Sequence, residues 1–267
     1  MLKQRVITAL VIAPVILALI FFTPGFLFAA AMLVLALIGA WEWSALAGLA
    51  GQSARWGLVG LFGVLALAGA WLQSQLPYPT GLLIYCLAAL AWWLLSLAWI
   101  AFWRGSLSRP AKIACGALTL LPSLAAVVAI RGPSPWYLVI LLLLTSAADI
   151  GAYFAGRAFG RHKLAPEVSP GKTWEGVVGG VLLVAAVAAI EDYWLPVPLA
   201  PFVALCVSVA LLSVVGDLSE SLFKRQVGLK DSGRLFPGHG GLLDRVDSLT
   251  AAAPLFWLGA RALGLLP

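Results

Sequence analysis

The sequence predicts an all-α, polytopic integral membrane protein with about nine transmembrane helices. Three observations carry this reading. Of 267 residues, 62% are hydrophobic and 10% are charged, with a mean hydropathy of +1.01, whereas a soluble domain carries roughly a quarter charged residues. Apolar runs of the roughly 20 residues that a spanning helix needs recur along the chain. The breaks between them are short and rich in Pro, Gly or charge: "TPG", "LPYPTG", "RGPSP" and "LPVPLAP".

In chain order, the runs place spans at about 6–22, 25–46, 57–76, 80–103, 111–130, 135–157, 175–194, 199–223 and 247–265. The first follows Lys3 and Arg5 and leads to small residues around Ala29, the outline of a secretory signal. Apolar character continues past that point, so it reads as a retained span rather than a cleaved peptide. The second carries Glu42 near its end. Trp41, Trp43, Trp103, Trp136, Trp174 and Trp194 fall near span ends, as interfacial tryptophans do. No soluble extramembrane domain, low-complexity tract or internal repeat stands out. Residues 1–267 therefore read as one membrane domain, with about 1–134 less informative and the catalytic part in about 135–267.

Orientation follows from charge. With the N-terminus inside, 15 of the 17 Lys and Arg residues fall in the N-terminal tail, the loops after even-numbered spans and their margins, leaving Arg131 and Arg261 outside. That bias marks the cytoplasmic side. It also accounts for the net charge of +6 and pI near 9.5 without a nucleic-acid partner. Two of the cytoplasmic loops are long and polar, about 158–174 and 224–246, and function is expected there. Cys86, Cys115 and Cys206 lie apart in apolar runs with no metal-ligand spacing, and read as buried apolar residues.

Ionisable groups inside spans are costly and mark functional positions. Ser146, Asp149, Tyr153 and Arg157 share one helical face in the sixth span, and Asp217, Glu220, Ser221 and Lys224 share another in the eighth. Glu175 opens the seventh span, and Asp244 and Asp247 open the ninth. All lie at similar depth, on the side of the basic loops. Structural ion pairs between helices would explain one such pair, but not this many acids and bases together. At i,i+3 spacing, Asp244 and Asp247 can share one hard divalent cation or hold two. They can equally charge the first turn of a helix.

"SPGKTWEG", residues 169–176, contains a Gly-Lys-Thr. A Walker loop requires Gly where this chain has Pro166, and no strand is expected before it, so it is not a P-loop. Lys172 can still reach a phosphate, and a helix starting near Thr173 would offer free N–H groups to an anion. "PGHGG", residues 237–241, can bring backbone close to phosphate oxygens, with His239 as a donor, an acid/base group or a solvated turn residue. His162 reads as surface.

"SLFKRQVGLKDSGRLFPGHGGLLDRVD", Ser221 to Asp247, resembles the motif of the phosphatidate cytidylyltransferases, or CDP-diacylglycerol synthases, and "SPGKTWEG" resembles a second block of that family. The length and nine-span layout are similar to the bacterial members. The resemblance implies a multi-pass enzyme of the bacterial inner membrane, acting on CTP and phosphatidic acid to give CDP-diacylglycerol and pyrophosphate. It implies Mg²⁺, with K⁺ as a second, monovalent cation, and a homodimer. By that motif Asp217, Asp244 and Asp247 are the metal ligands, while Lys224, Arg225, Lys230 and Arg245 face phosphates. Asp231 and His239 belong to the same catalytic set. Asp149, Ser169, Lys172, Thr173, Glu175, Ser221, Gly240 and Gly241 are expected to bind substrate. The lipid phosphate is itself the nucleophile, so no activated Ser, Cys or His is needed, and catalysis rests on positioning and charge neutralisation. Two rivals are a CTP-dependent enzyme acting on an isoprenoid lipid (CDP-archaeol synthase-like or polyprenol kinase-like) and a cation transporter. A transporter would place its charges near the midplane, not at one interface.

Overall fold

Where hydrocarbon surrounds a chain, every backbone N–H and C=O must find its partner internally, so long apolar runs become helices. The computed structural model describes residues 13–103, 105–191, 195, 197–236 and 240–267. Its helices are α1 (Ala13–Phe22), α2 (Gly25–Leu46), α3 (Gln52–Gln75), α4 (Thr80–Ala98), α5 (Arg109–Arg131), α6 (Pro135–Phe159), α7 (Trp174–Glu191), α8 (Leu199–Gln226) and α9 (Leu243–Ala262). A π-helical turn, Trp99–Trp103, extends α4. Helices α2 to α8 are each long and apolar enough to cross a membrane. The chain is thus a polytopic, helical membrane protein, with α9 as a further 20-residue helix that opens on charged residues.

The spans expected from hydropathy coincide with these helices, and the differences lie at polar ends. α3 begins at Gln52 rather than 57, α8 runs on to Gln226, and α9 begins at Leu243 rather than 247. Hydropathy locates the apolar stretch, while a helix continues wherever its polar side chains reach an aqueous or capped environment. The beginning of the first expected span lies outside the described residues.

Trp103, Trp136 and Trp174 are exposed on the surface near helix ends, as expected; Trp194 lies outside the described residues. Trp43 is a correction. It is 2% exposed, its indole Nε1 donates to Lys112 O at 2.8 Å, and its ring meets Phe223 edge-on at 5.0 Å. It belongs to the core because Gly116 leaves room for the indole. Cys86, Cys115 and Cys206 are free and buried.

One departure from pure helix bears on the site. β1 (Lys163–Ala165) and β2 (Ser169–Thr173) form an antiparallel hairpin, with Lys163 opposite Thr173 and Ala165 opposite Ser169. "SPGKT" is thus itself a strand and a short strand does precede it, contrary to expectation. The lack of a P-loop follows from the hairpin geometry as well as from Pro166.

Glycines let two helix pairs touch backbone to backbone, as small residues do in membrane bundles. Between α6 and α7, a Cβ on Gly151 would lie 2.6 Å from Gly179 O, and one on Gly180 2.7 Å from Ala148 O. Between α8 and α9, a Cβ on Gly216 would lie 2.5 Å from Asp247 O. These contacts fix the hairpin beside α8 and bring Asp217 near Asp247. One apolar cluster, including Trp43, Trp93, Leu120, Phe223 and Leu243, lies beneath the polar end. A second, including Ile20, Phe28, Leu141, Phe202 and Trp257, fills the remainder. At the far end, Arg131 donates to Ile20 O at 3.0 Å and to Thr23 O, tying the α1–α2 turn to α5.

Candidate active site

Antiparallel alternation carries the ends of α2, α4, α6 and α8 and the starts of α5, α7 and α9 to one end of the bundle. The α8 stripe forms as its spacing predicts. Ser221 Oγ donates to Asp217 Oδ1 at 3.4 Å, and Lys224 Nζ lies 3.2 Å from Glu220 Oε1, one helical turn back. Gly228, with φ +71°, then ends α8 in a left-handed C-cap, its N–H on Arg225 O and the Leu229 N–H on Lys224 O.

Asp244 organises the return of the chain. Its Oδ1 takes the Lys224 ammonium at 2.7 Å. Its Oδ2 accepts from Ser232 N at 2.9 Å, Ser232 Oγ at 3.0 Å and Gly241 N at 2.8 Å. A carboxylate with this many donors is both charge-compensated and fixed in direction. Gly240 adopts φ +82°, and a Cβ there would lie 2.5 Å from Asp244 Oδ2. These glycines therefore admit a carboxylate of the chain itself. The Gly241 N–H, expected to be open to a phosphate, is already used by Asp244.

Lys172 reaches the cluster from β2, with Nζ 2.6 Å from Asp217 Oδ2. Asp149 is exposed on α6 and interacts electrostatically with Asp217, Lys172 and Arg245. Asp247 stands in the field of Asp217, Lys224 and Lys172, and of Glu220. Its Oδ1 accepts from Ser248 N at 2.7 Å. The structure thus brings together Asp149, Asp217, Glu220, Asp244 and Asp247 with Lys172, Lys224 and Arg245.

The other expected residues lie around this cluster. Thr173 caps α7, its Oγ1 accepting from Gly176 N at 3.1 Å. The Trp174 N–H goes to His162 O at 2.9 Å. Two of the amides at the start of α7, those of Trp174 and Gly176, are therefore taken by the chain's own groups. Glu175 accepts from His162 N at 3.2 Å and lies 2.6 Å from His162 Nδ1. His162 is exposed, as expected, but has this partner. Arg225 contacts Val168 O at 3.4 Å and Leu229 O at 3.5 Å, linking α8 to the hairpin turn. Ser169 opens β2, and Lys230 and Asp231 are exposed in the loop before α9. His239 lies outside the described residues, with Pro237 and Gly238.

Among the described residues, no three His, Cys, Asp or Glu side chains converge as a closed metal cage. The donor set nonetheless fits Mg²⁺, which binds through one or two carboxylates plus substrate phosphates rather than through a cage of protein ligands. The cluster carries more carboxylates than cations, an unfavourable field for phosphate esters unless a cation compensates it. Asp217 and Asp247, on backbones in contact at Gly216 and in each other's field, offer hard oxygen donors, with Lys172 and Ser221 already on Asp217. Asp244 stands beside them with its oxygens on Lys224, Ser232 and Gly241.

The sequence does not single out Glu42 or Ser232 as site residues, although Ser232 lies within the Ser221–Asp247 motif. Glu42, at the end of α2, accepts from Leu242 N, Leu243 N and Ser232 Oγ, each at 2.9 Å. A lone acid in an otherwise apolar span was the available signal for Glu42; for Ser232 it was the motif around it, since a serine in a polar loop offers no local pattern of its own.

Carboxylates and lysines gather at one end of a helical membrane bundle, beside two polar loops, an arrangement suited to phosphate-ester chemistry. The chain belongs to the cytidylyltransferase family, whose model matches residues 3–263; it is a CTP-utilising nucleotidyltransferase. It is 41% identical to the phosphatidate cytidylyltransferase of Haemophilus influenzae, over 96% of this chain and 97% of that protein. It is also 41% identical to that of Pseudomonas aeruginosa, over 96% of each chain. With the phosphatidate cytidylyltransferase of Brucella suis it shares 48% identity over 48% of this chain.

Proposed function

We propose that the protein is a phosphatidate cytidylyltransferase, transferring CMP from CTP to phosphatidic acid with release of pyrophosphate. The observation that carries this is similarity along nearly the whole chain to two proteins of that name. The cluster of carboxylates and lysines agrees with it in chemistry and in place. One substrate is soluble and the other stays in the bilayer, so the site must lie where helix ends meet water.

A phosphate oxygen of the lipid attacks the α-phosphorus of CTP, and the bond from that phosphorus to the oxygen bridging to the β-phosphate breaks. The attacking group is already an oxyanion, so this chain's residues have no nucleophile to activate. Their task is to hold two anions in line and offset the charge. Lys172 and Lys224 carry ammonium groups held against Asp217 and Asp244, for which incoming phosphates compete. Arg245, Arg225 and Lys230 extend the positive field toward water. Asp217 and Asp247, with Asp244 beside them, would hold Mg²⁺, which when bound neutralises charge on the triphosphate and on the departing pyrophosphate. A second, monovalent cation such as K⁺ would add to that charge compensation. Asp231 and His239 complete the catalytic set, and Asp149, Ser169, Thr173, Glu175, Ser221, Gly240 and Gly241 form the substrate surround, Thr173 by capping α7.

The same reading places the protein in the bacterial inner membrane as a homodimer, with the N-terminus and active site cytoplasmic. The strong asymmetry of Lys and Arg supports that orientation. Purified protein given CTP, Mg²⁺ and phosphatidic acid in mixed micelles should form CDP-diacylglycerol and pyrophosphate. Turnover with a polyprenyl lipid but not with phosphatidic acid would defeat the reading in favour of an isoprenoid substrate.

A further inference from the structure

α9 begins without a cap of its own. Its N-cap position is Leu242, which has no side chain able to accept a hydrogen bond, yet the first amides of any helix lack intrahelical acceptors. The missing acceptor comes from another helix, 200 residues away in the sequence. Glu42 Oε1 accepts from Leu242 N and Oε2 from Leu243 N, each at 2.9 Å. The Glu42 carboxylate therefore sits at the positive end of α9, where negative charge is stabilised. It is 6% exposed.

The same carboxylate is linked to the cluster by one hydroxyl. Ser232 Oγ stands 2.9 Å from Glu42 Oε2 and 3.0 Å from Asp244 Oδ2. Its single proton is shared between two carboxylates, while its backbone N–H is fixed on Asp244. The surrounding chain is shaped to this arrangement. A Cβ on Gly241 would lie 2.5 Å from Glu42 Oε2, and one on Gly233 would collide with the same carboxylate. The position of Asp244, and of the Lys224 ammonium 2.7 Å from it, is therefore set in part by α2.

We propose that Glu42 is a positioning residue for the transfer reaction: through Ser232 and the first amides of α9 it fixes the Asp244 carboxylate and, with it, the Lys224 ammonium. This deepens the functional reading and rests on it for the kinetic part of its test. Glu42 contacts neither reacting phosphate; it acts through Ser232 and Asp244. In Glu42→Gln an amide NH₂ must face a backbone N–H or the serine hydroxyl, so at least one of the three bonds is lost.

The test compares the full-length protein, Glu42→Gln, Ser232→Ala and the double variant, each purified in detergent. Hydrogen exchange at Leu242, at Leu243 or at both should be about 10-fold faster or more in Glu42→Gln, because their protection depends on the two oxygens of that carboxylate. Exchange elsewhere in the bundle should not change. Per folded molecule, kcat should fall about 10- to 100-fold in either single variant, the range spanned by one or two charge-assisted hydrogen bonds. KM for CTP and for lipid should stay within about twofold, as expected for positioning rather than uniform binding. The double variant should be no worse than the poorer single one, since both act through one link. Unchanged exchange, unchanged kcat per folded molecule, or losses that multiply would each overturn the proposal. A purely structural Glu42 would lower the yield of folded protein and leave kcat per folded molecule intact. If Glu42→Gln does not fold, Ser232→Ala decides, and a kcat unchanged within about twofold counts against the role. A parent protein inactive on phosphatidic acid would defeat the functional reading, and exchange at Leu242 and Leu243 would then judge Glu42 alone.

Discussion

Two polar segments meet at the working end of the bundle, and they are held in opposite ways. The hairpin between α6 and α7 is held by its own backbone: β1 pairs with β2, the turn closes with Val168 N on Ala165 O at 3.1 Å, and Trp174 N continues the pairing to His162 O. The segment between α8 and α9 has among its described residues a single isolated bridge, Phe236 with Gly240. Its shape comes from carboxylates on two helices, Glu42 and Asp244, gathering the backbone amides of Ser232 and of residues 241 to 243. A backbone ladder survives the loss of one side chain. A loop wound around buried carboxylates does not. Substitutions should therefore do far more damage in the second segment.

Asp244→Asn is the most severe way to probe that difference. It removes the charge opposite Lys224 and sets an amide NH₂ against donors. Breaking a buried pair from one side costs about 3–5 kcal/mol, so the variant should insert in the membrane, melt earlier in detergent and lose at least about 10³-fold in kcat/KM. Near-normal turnover would remove Asp244 from the site and the carboxylate-held loop from the mechanism. Lys172→Met probes the hairpin side chain that reaches Asp217. The ladder remains, so thermal stability should hold while kcat/KM falls about 10- to 100-fold. Equal loss of stability and activity would mean that the hairpin, too, depends on the Lys172–Asp217 pair.

Sidedness tests whether the two segments share one face at all. In a Cys86→Ala, Cys115→Ala, Cys206→Ala background, Gly171→Cys on the hairpin should react with an impermeant thiol reagent only from the cytoplasmic side. Its Cα faces open space, so the added side chain is accessible. Pro267→Cys should react only from the other side. Labelling of both from one side would overturn the nine-span orientation. The smallest effect belongs to Thr173→Val. Loss of the α7 cap should cost about 1 kcal/mol, seen as a modest drop in melting temperature with kcat within about twofold of the parent. A large fall in kcat would make Thr173 a substrate contact rather than a cap.

Sequence by itself determined the membrane architecture, because the bilayer enforces one rule on the backbone and hydropathy states where that rule applies. It also determined the α8 stripe of Asp217, Glu220, Ser221 and Lys224, since three- and four-residue spacing places side chains on one helical face whatever surrounds them. Tertiary structure alone decided the partners. Lys172 was legible as a lysine beside a polar loop, but its place against Asp217 follows from a short hairpin and from glycines that let α6 and α7 touch. Trp43 carried the sequence signature of an interfacial anchor, and the gap left by Gly116 made it a core residue instead. Glu42 was visible as a charge out of place in an apolar span. The three donors it binds lie 190 to 201 residues further along, and no local pattern records an acceptor supplied across such a distance. Only the folded bundle brings that carboxylate to the unsatisfied amides at the start of α9.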